Sequence, residues 1–229
     1  MNKKKVEKIG MWLVSGFAAI ASIWNTCTVR DAAKFKQPLD EHDEVSKSFV
    51  SQISSAEKRH DNTEEIRIRL LYEKYEEGWR AARKIANIIA PFENLAIYQL
   101  SSNQQSDLTK LVDITLAAPY MSFLSQKTLG AVYLALGDYG KAATQLSAVS
   151  SETKDTNALA LKAAAFGGLA SNADNQIEKL QYENTATQTF LLATETAKKL
   201  SGRTAELNSF AAANPGLLAI LKAKNIELK

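Results

Sequence analysis

The most restrictive feature of the sequence is a regular row of apolar residues between positions 63 and 90. The row advances in alternating steps of four and three residues, which places its members on one face of a helix. Its members are Ile68, Tyr72, Tyr75, Trp79, Ala82, Ala86 and Ile89. We therefore predict a helix of about four heptads that ends at Pro91. The row is either an oligomer seam between chains or a packing seam within one domain, and its aromatic side chains favour packing.

The remainder of the chain beyond residue 29 also has a helical pattern. Only four prolines and ten glycines occur in 229 residues, and no segment alternates with the period of two that is typical of strands. The predicted class is all-α. We expect helices near residues 45–59, 121–136, 139–150, 155–170, 173–200 and 216–226, a polar connection over 30–44 and a polar joint at "SSNQQS", residues 101–106.

The net charge of the chain is confined to its first 29 residues. The whole chain carries a formal charge of +3. Residues 1–29 contain four lysines and one glutamate, which leaves 24 basic and 24 acidic side chains in the rest. A nucleic-acid-binding domain carries an excess of basic side chains on its folded part. The sequence therefore predicts no nucleic-acid partner.

A long uncharged segment follows the basic N-terminus. Residues 9–29 contain no charged side chain, and this is about the length that crosses a bilayer as a helix. Trp12 and Trp24 lie towards its two ends, as tryptophan does at membrane interfaces. We interpret residues 9–29 as a single membrane span. A cleaved signal peptide is the alternative, because Ala19-Ile20-Ala21 has the small residues of a cleavage site. The residues before Cys27, the only cysteine, do not resemble a lipobox.

The charges on the two sides of this segment predict its orientation. Four lysines precede it and three basic residues follow it at positions 30–36. This excess favours an N-terminus inside the cytoplasm and a domain outside it, which is the periplasm if the source is a Gram-negative bacterium. Ser15 and Ala19, and likewise Ala18 and Ser22, have the spacing that lets two spans approach closely.

Residues 129–146 carry small and large residues at fixed spacing. The pattern consists of Leu129-Gly130, Tyr133, Gly137-Asp138-Tyr139, Ala142 and Leu146. It resembles the tetratricopeptide repeat, a 34-residue pair of antiparallel helices that stacks on its neighbours. The resemblance implies close helix contact at Gly130 and Ala142 and a turn at Gly137-Asp138, with Tyr133 between neighbouring hairpins. Lys154 stands where the family often has proline.

One hairpin cannot bury its apolar face alone, so the resemblance requires neighbouring hairpins. The stretch "LKAAAFGGLASNADNQI", 34 residues downstream, keeps the small residues and the helix-turn-helix rhythm. We predict a tetratricopeptide-like bundle of two to four divergent hairpins over about residues 64–200. A plain helical bundle with one similar hairpin stays open.

In the resembling family, the inner helices of the hairpins line a groove that binds peptides. The corresponding residues here are Leu124, Lys127, Ala131, Leu134 and Ala135. The form of the repeat that clamps a carboxylate terminus needs asparagine where this chain has Ala131. The resemblance therefore implies an apolar groove for a helix, from a partner or from this chain's own terminus. The alternative is that these residues are core.

No pattern in the sequence points to catalysis or to a cofactor. The chain has no Gly-x-Ser-x-Gly, no phosphate-binding glycine loop and no His-Glu-x-x-His motif. "EHDE", residues 41–44, offers possible metal ligands, but a short acidic run in a linker is more often solvated. Glu73, Glu76 and Glu77 alternate with basic residues, as on a solvated helix face. Phe166-Gly167-Gly168 favours close helix packing over phosphate binding. We predict no enzyme, no cofactor, no metal site and no small-molecule substrate.

Two functions follow from these observations. The first is a membrane-anchored extracytoplasmic scaffold that binds partner proteins as a monomer. The second is a structural subunit of a larger membrane assembly that forms oligomers through the 63–90 helix. The predicted organisation is a basic head and membrane anchor over 1–29, a linker and helix over 30–62, and a helical domain over 63–229. This layout also resembles a single-pass inner-membrane family of periplasmic tetratricopeptide proteins that are ancillary to the Sec translocon, which implies a role in envelope protein biogenesis.

Overall fold

The structure, a computed structural model, describes residues 29–119, 124–150, 155–200 and 202–228, with residues 29–40 and 150 described by their backbone alone. Within these ranges it contains α-helices and turns and no strand. The predicted all-α class is confirmed. The helices are α1 (Val29–Lys58), α2 (Asn62–Glu93), α3 (Ser102–Ala117), α4 (Gln126–Ala135), α5 (Tyr139–Ser150), α6 (Thr156–Ser171), α7 (Gln176–Leu200), α8 (Thr204–Ala213) and α9 (Pro215–Ala223).

The chain divides into two compact units between Tyr72 and Glu73, inside α2. The predicted boundary between residues 62 and 63 instead lies at the start of α2. The division lies later because α1 pairs with the first part of α2. The rings of Phe49 and Tyr72 lie 5.3 Å apart, and Arg69 donates to Glu57 at 2.7 Å.

The first unit contains a longer helix than the sequence predicted. We expected residues 30–44 to be a polar connection, but α1 runs through them without a break. The reason is visible on the buried face of α1, where His42, Ser46, Phe49, Ile53 and Ala56 recur at helical spacing. The buried face of the predicted helix 45–59 therefore continues upstream to His42. A pattern of apolar side chains does not indicate this continuation, because His42 and Ser46 are polar.

The second unit is built around two consecutive helical hairpins. Helix α4 packs on α5, α5 packs on α6, and α6 packs on α7. Each helix thus contacts the next along the chain, and α4 also contacts α6. This succession is compatible with the tetratricopeptide-like packing that the sequence predicted.

The last two described helices close the second unit. Helices α8 and α9 contact each other and both pack on α6 and α7. Phe210 of α8 is fully buried and contacts the rings of Phe92 and Tyr98 at 6.3 and 6.5 Å. Arg203 donates to the carbonyl of Asn94 at 3.2 Å, just beyond the end of α2. These contacts join the end of α2 to α8, which in turn packs on the second hairpin.

Helix α2 continues past the proline that was expected to end it. Pro91 lies within the helix, which ends at Glu93. Leu95 then adopts a left-handed conformation with φ of 58°, and the N–H of Ala96 donates to the carbonyl of Pro91. Glycine is usual at such a position, but the side chain of Leu95 is buried in the core.

Two further segments differ from the predictions. The polar joint at 101–106 begins α3, because Ser101 and Gln104 form a reciprocal capping box. No helix was predicted between residues 200 and 216, but α8 runs from Thr204 to Ala213. Elsewhere the agreement is close: α5 has the predicted bounds 139–150, and α6 is displaced from 155–170 by one residue.

The predicted membrane span, residues 9–29, lies outside the described residues except for its last position. No helix within the described ranges combines the length and the apolarity that crossing a bilayer requires.

Candidate functional site

The turn of the first hairpin has the geometry that the repeat pattern predicts. Gly137 has a φ of +79°, and the N–H of Asp138 donates to the carbonyl of Tyr133 at 2.9 Å. The carboxylate of Asp138 then accepts from the N–H of Lys141 at 3.1 Å and begins α5. Its hydrogen bond to the Lys141 side chain holds the pKa of Asp138 below its ordinary value. The predicted turn at Gly137-Asp138 is confirmed.

The two helices of this hairpin approach closely at Gly130. A Cβ atom at Gly130 would lie 2.5 Å from Cγ of Leu146, closer than real side chains approach. Ala142, the second small residue of the pattern, is fully buried. Both positions lie where a larger side chain has no room, as the pattern predicted.

The second hairpin packs on the first where the ring of Tyr139 lies against the backbone of Gly168. A Cβ atom at Gly168 of α6 would collide with the ring of Tyr139 of α5. On its neighbouring side, a Cβ atom at Gly167 would lie 2.7 Å from the backbone nitrogen of Leu217 in α9. The double glycine therefore serves close helix packing, as predicted. Tyr133, which was expected between the hairpins, is half-buried against the core.

The five predicted groove residues lie in three different environments. Ala131 and Leu134 are buried at 0% and 6% exposure and belong to the core, as in the alternative interpretation. Leu124 and Ala135 are partly buried and pack against that core. Lys127 is a charged residue at the start of α4. The groove itself stays a prediction, and its accessible part is the edge formed by Leu124, Lys127 and Ala135.

Lys127 joins the ends of three helices through ion pairs. Its Nζ atom lies 2.8 Å from Oδ2 of Asp155 and 4.0 Å from Oε1 of Glu93. Thr128 also donates to Glu93 at 3.5 Å. The three charged side chains are between 19% and 35% exposed, so water screens them only in part. The cluster ties the end of α2 to the starts of α4 and α6.

Asp155 has a second role as the N-cap of α6. Its Oδ1 atom accepts from the N–H groups of Asn157 and Ala158 at 2.9 and 3.1 Å. Burial alone would raise the pKa of Asp155, but the hydrogen bond and charge of Lys127, together with these two N–H groups, lower it below its ordinary value. Sequence reasoning missed Asp155 and Glu93. Aspartate just before an alanine-rich helical run was the available signal for a cap.

Lys162 is the one charged side chain of α6, and it is partly buried. Burial lowers its pKa below the ordinary value. The rest of α6 is alanine, leucine, glycine and other uncharged residues.

The predicted oligomer or packing seam on α2 is covered within a single chain. Ile68, Tyr75, Trp79, Ala82 and Ile89 are at most 6% exposed, and Tyr72 and Ala86 are partly buried. The burial agrees with packing inside the chain, the alternative that the aromatic residues favoured. Of the three glutamates that were expected on a solvated face, Glu73 and Glu77 are exposed, whereas Glu76 is partly buried and lies 3.8 Å from Arg80.

The "EHDE" segment is not the solvated linker that we expected. His42 is only 3% exposed and lies on the buried face of α1, whereas Glu41, Asp43 and Glu44 are exposed. The helix separates these residues onto different faces, because neighbours in sequence point in different directions. Among the described residues, no group of three potential ligands of the histidine, cysteine or carboxylate type could hold a metal ion.

Comparisons with protein-family models, with curated proteins and with solved structures found no match to this chain. Its fold defines an all-α protein of packed helical hairpins.

Proposed function

We propose that the protein is a membrane-anchored extracytoplasmic helical-repeat adaptor that binds partner proteins during envelope protein biogenesis. The observation that carries the proposal is the succession α4–α5–α6–α7, in which each helix packs on the next and the hairpins meet at Gly168 and Tyr139. Stacked hairpins expose long continuous surfaces, and proteins use such surfaces to bind other proteins.

The location of the adaptor rests on the N-terminal sequence. A basic head and the uncharged segment 9–29 favour an anchor in the cytoplasmic membrane with the N-terminus inside. The helical domain would then lie outside the cytoplasm. A periplasmic location makes folded or unfolded envelope proteins the class of partner.

The binding edge would contain the exposed part of the predicted groove. Leu124 and Ala135 supply apolar surface at the two ends of α4, and Lys127 supplies a charge that Asp155 already compensates. A compensated lysine does not attract a free carboxylate strongly. The edge therefore suits an apolar helix of a partner better than an acidic tail.

A structural subunit that assembles through the 63–90 helix is the alternative function. It would need Tyr75 and Trp79 at an interface between chains, yet both are buried within one chain at 1% and 6% exposure. Exposing two aromatic rings before assembly costs several kcal/mol, on the order of 1.5–3 kcal/mol for each large apolar side chain. This cost favours the adaptor.

Site-specific photo-crosslinking in cells tests the adaptor. A photoreactive amino acid at position 124 or 135 of the full chain should give discrete adducts with the same partner, whereas one at Lys110, exposed on α3, should not. Alkaline extraction and protease access from outside the cytoplasmic membrane test the anchor in the same cells. Equal adducts at all three positions, or none, would exclude a binding edge on α4.

A further inference from the structure

Helix α7 exposes a cluster of large aliphatic side chains. Ile177, Leu180, Leu191 and Leu192 are between 48% and 69% exposed. The opposite side of the same helix is buried in the core through Ala186, Phe190, Ala193 and Ala197, all at 2% or less. The exposed aliphatic side chains lie away from this core, on a face that the rest of the second unit contacts at Asn184 through Lys224.

The two leucines of this cluster that share one line along the helix are Leu180 and Leu191. Eleven residues separate them, which is three helical turns and about 16 Å at 1.5 Å per residue. Between them the face is polar, with Asn184 and Gln188. Asn184 accepts a hydrogen bond from Lys224 at 2.9 Å.

Similar residues on the exposed face lie at nearly equal distances on either side of position 186, with the amides nearer and the leucines farther. Residue 186 is the midpoint of Asn184 and Gln188, and Leu180 and Leu191 have their midpoint half a residue away. A second copy of α7, running in the opposite direction about this point, would place Leu180 of each copy against Leu191 of the other. Each leucine would then contact a leucine of the other copy instead of water.

The charges at the ends of α7 favour the same arrangement. Asp174 lies just before the helix, Lys198 lies in its last turn, and residue 186 is their midpoint as well. The antiparallel copy places the carboxylate of Asp174 near the ammonium group of Lys198 at both ends. A parallel copy would instead bring like charges together.

A lipid surface fits this face less well. Glu178 and Glu195 balance Lys198 and Lys199, and Glu195 lies 2.5 Å from Lys199. An interfacial helix that binds anionic membranes carries a basic excess on its polar side. The face carries opposite charges at its two ends and lacks that excess.

We infer that α7 is the interface of an antiparallel dimer, formed by the exposed face of α7 (Ile177, Leu180 and Leu191, with Asp174 and Lys198 at its ends) in two copies of this chain. The interface is isologous, since the same surface is used twice. Contact along a 25-residue helix extends over about 37 Å. This is a small interface, so we expect a dissociation constant on the order of micromolar. The dimer uses residues of α7 and none of α4, so it is independent of the proposed binding edge on α4, and it replaces the monomer that was expected of an adaptor from the sequence.

Cysteine crosslinking tests the direction of the pair in the full-length chain. In a Cys27→Ser background, which removes the only native cysteine, Leu180→Cys protein and Leu191→Cys protein are oxidised separately and as a mixture. The antiparallel dimer gives a disulfide in the mixture and none in either protein alone. Identical positions lie about 16 Å apart along the pair, whereas a disulfide requires Cα atoms within about 7 Å. Leu200→Cys mixed with Leu180→Cys is the control, because Leu200 projects from a different side of α7 and should give none.

Mass measurements on full-length protein in detergent test the energetic contribution. Leu191→Glu should raise the dimer dissociation constant at least about 100-fold, because a charge would be buried against Leu180. Leu200→Glu, a change of the same kind at a 63% exposed site, should leave it unchanged. Lys198→Asp should raise it about 3- to 10-fold, since a surface pair of modest strength occurs twice. Adding Asp174→Lys to that variant should restore the original value.

Three results would overturn the inference. The first is a chain that stays monomeric at concentrations of about 100 μM and forms no disulfide in the mixture. The second is a disulfide in the Leu180→Cys protein alone, which indicates a parallel pair. The third is a dimer that Leu191→Glu leaves intact, since such a dimer forms through another surface. Circular dichroism of each variant distinguishes loss of pairing from loss of the fold.

Discussion

The two hairpins of the second unit differ in how well their sequences match a repeat and in how deeply they are buried. The first, α4–α5, carries the clear pattern of glycines, tyrosines and alanine, yet only four of the ten residues of α4 are buried. The second, α6–α7, has lost the Gly-Asp-Tyr turn, yet eleven of the sixteen residues of α6 are buried. The strength of a motif therefore does not indicate which hairpin forms the centre of the core.

The reason lies in the number of neighbours that each helix has. Helix α6 packs against α4, α5, α7, α8 and α9, whereas α4 packs against α5 and α6 and meets the end of α2 at Lys127 and Thr128. A helix surrounded on all sides needs small residues everywhere and shows no single apolar face. The alanines and glycines of α6 meet that need, and they also remove the periodicity on which motif recognition depends.

The largest expected difference in stability is between two leucine-to-alanine variants, one in each hairpin. Leu161→Ala in α6 removes a fully buried side chain and should lower the free energy of unfolding by about 3–4 kcal/mol. Leu129→Ala in α4 removes a partly buried one and should lower it by about 1–2 kcal/mol. Urea denaturation followed by circular dichroism measures both. Equal costs would show that the hairpins share the core evenly.

The next largest difference in stability is expected between alanine variants of two glycines that lie at close helix contacts. Gly167→Ala should lower the free energy of unfolding by about 2–3 kcal/mol, because the new methyl group meets the backbone of Leu217, which cannot rotate away. Gly130→Ala should cost about 1 kcal/mol, since the side chain of Leu146 can shift. The same denaturation experiment compares them.

Gly140→Ala is the matched control for these two variants. A Cβ atom at Gly140 meets only Asp138, at 3.9 Å, and alanine favours the helix, so this variant should gain about 0.5 kcal/mol. A cost at Gly130 as large as that at Gly167 would mean that Leu146 is held as rigidly as a backbone.

The contact between the hairpins at Asp155 should contribute a smaller, pH-dependent amount to the free energy of unfolding. Asp155→Ala removes both the cap of α6 and the pair with Lys127, and it should lower the free energy of unfolding by about 1–2 kcal/mol at pH 7. Asp155→Asn keeps the cap and should recover more than half of that loss.

The pH dependence follows from the lowered pKa of Asp155. The stabilisation is fully present above the pKa of the unfolded chain, about 4, and is lost as the pH falls through the lower pKa of the folded state. The difference in stability between the native chain and Asp155→Ala should therefore shrink below about pH 4. A difference that stays constant from pH 7 to pH 3 would assign the whole effect to packing.

The smallest expected effect concerns the turn of the first hairpin. Gly137→Ala places a Cβ atom in a left-handed conformation and should cost about 1 kcal/mol, although no other atom lies within 4 Å of it. Gly137→Asn should cost about half as much, because asparagine tolerates this conformation better. Thermal unfolding of the three proteins measures the order. An alanine variant as stable as the native chain would show that the turn relaxes to another shape.

The sequence predicted those elements whose signals are local. The turn at Gly137-Asp138 and the bounds of α5 follow from residue types within a few positions of one another. In each case the backbone conformation that the local residues allow decides the structure, whatever packs against it later. The all-α class followed for the same reason, because periodicity and the scarcity of proline act along the whole chain.

The elements that were missed depend on residues distant in sequence. Helix α8 is short and lacks a side-chain cap at its start, and its Phe210 is buried against Phe92. His42 lies in a polar run, yet the continuation of α1 places it on a buried face. Lys127, expected to face a partner, pairs instead with Asp155, 28 residues away. Such contacts exist only once the chain has folded.

The position of α8 also has a consequence for the order in which the protein matures. Arg203 and Asn94 are 109 residues apart, so the apolar surface at the end of α2 is synthesised long before Phe210 can cover it. The hairpins α4–α5 and α6–α7 join neighbouring segments, and such local contacts form early and quickly. Contacts of long sequence separation form last, and apolar surface left open in the meantime promotes aggregation. The packing of α8, followed by that of α9, is therefore a late step of folding, and until α8 arrives the side chain of Phe92 stays open to aggregation.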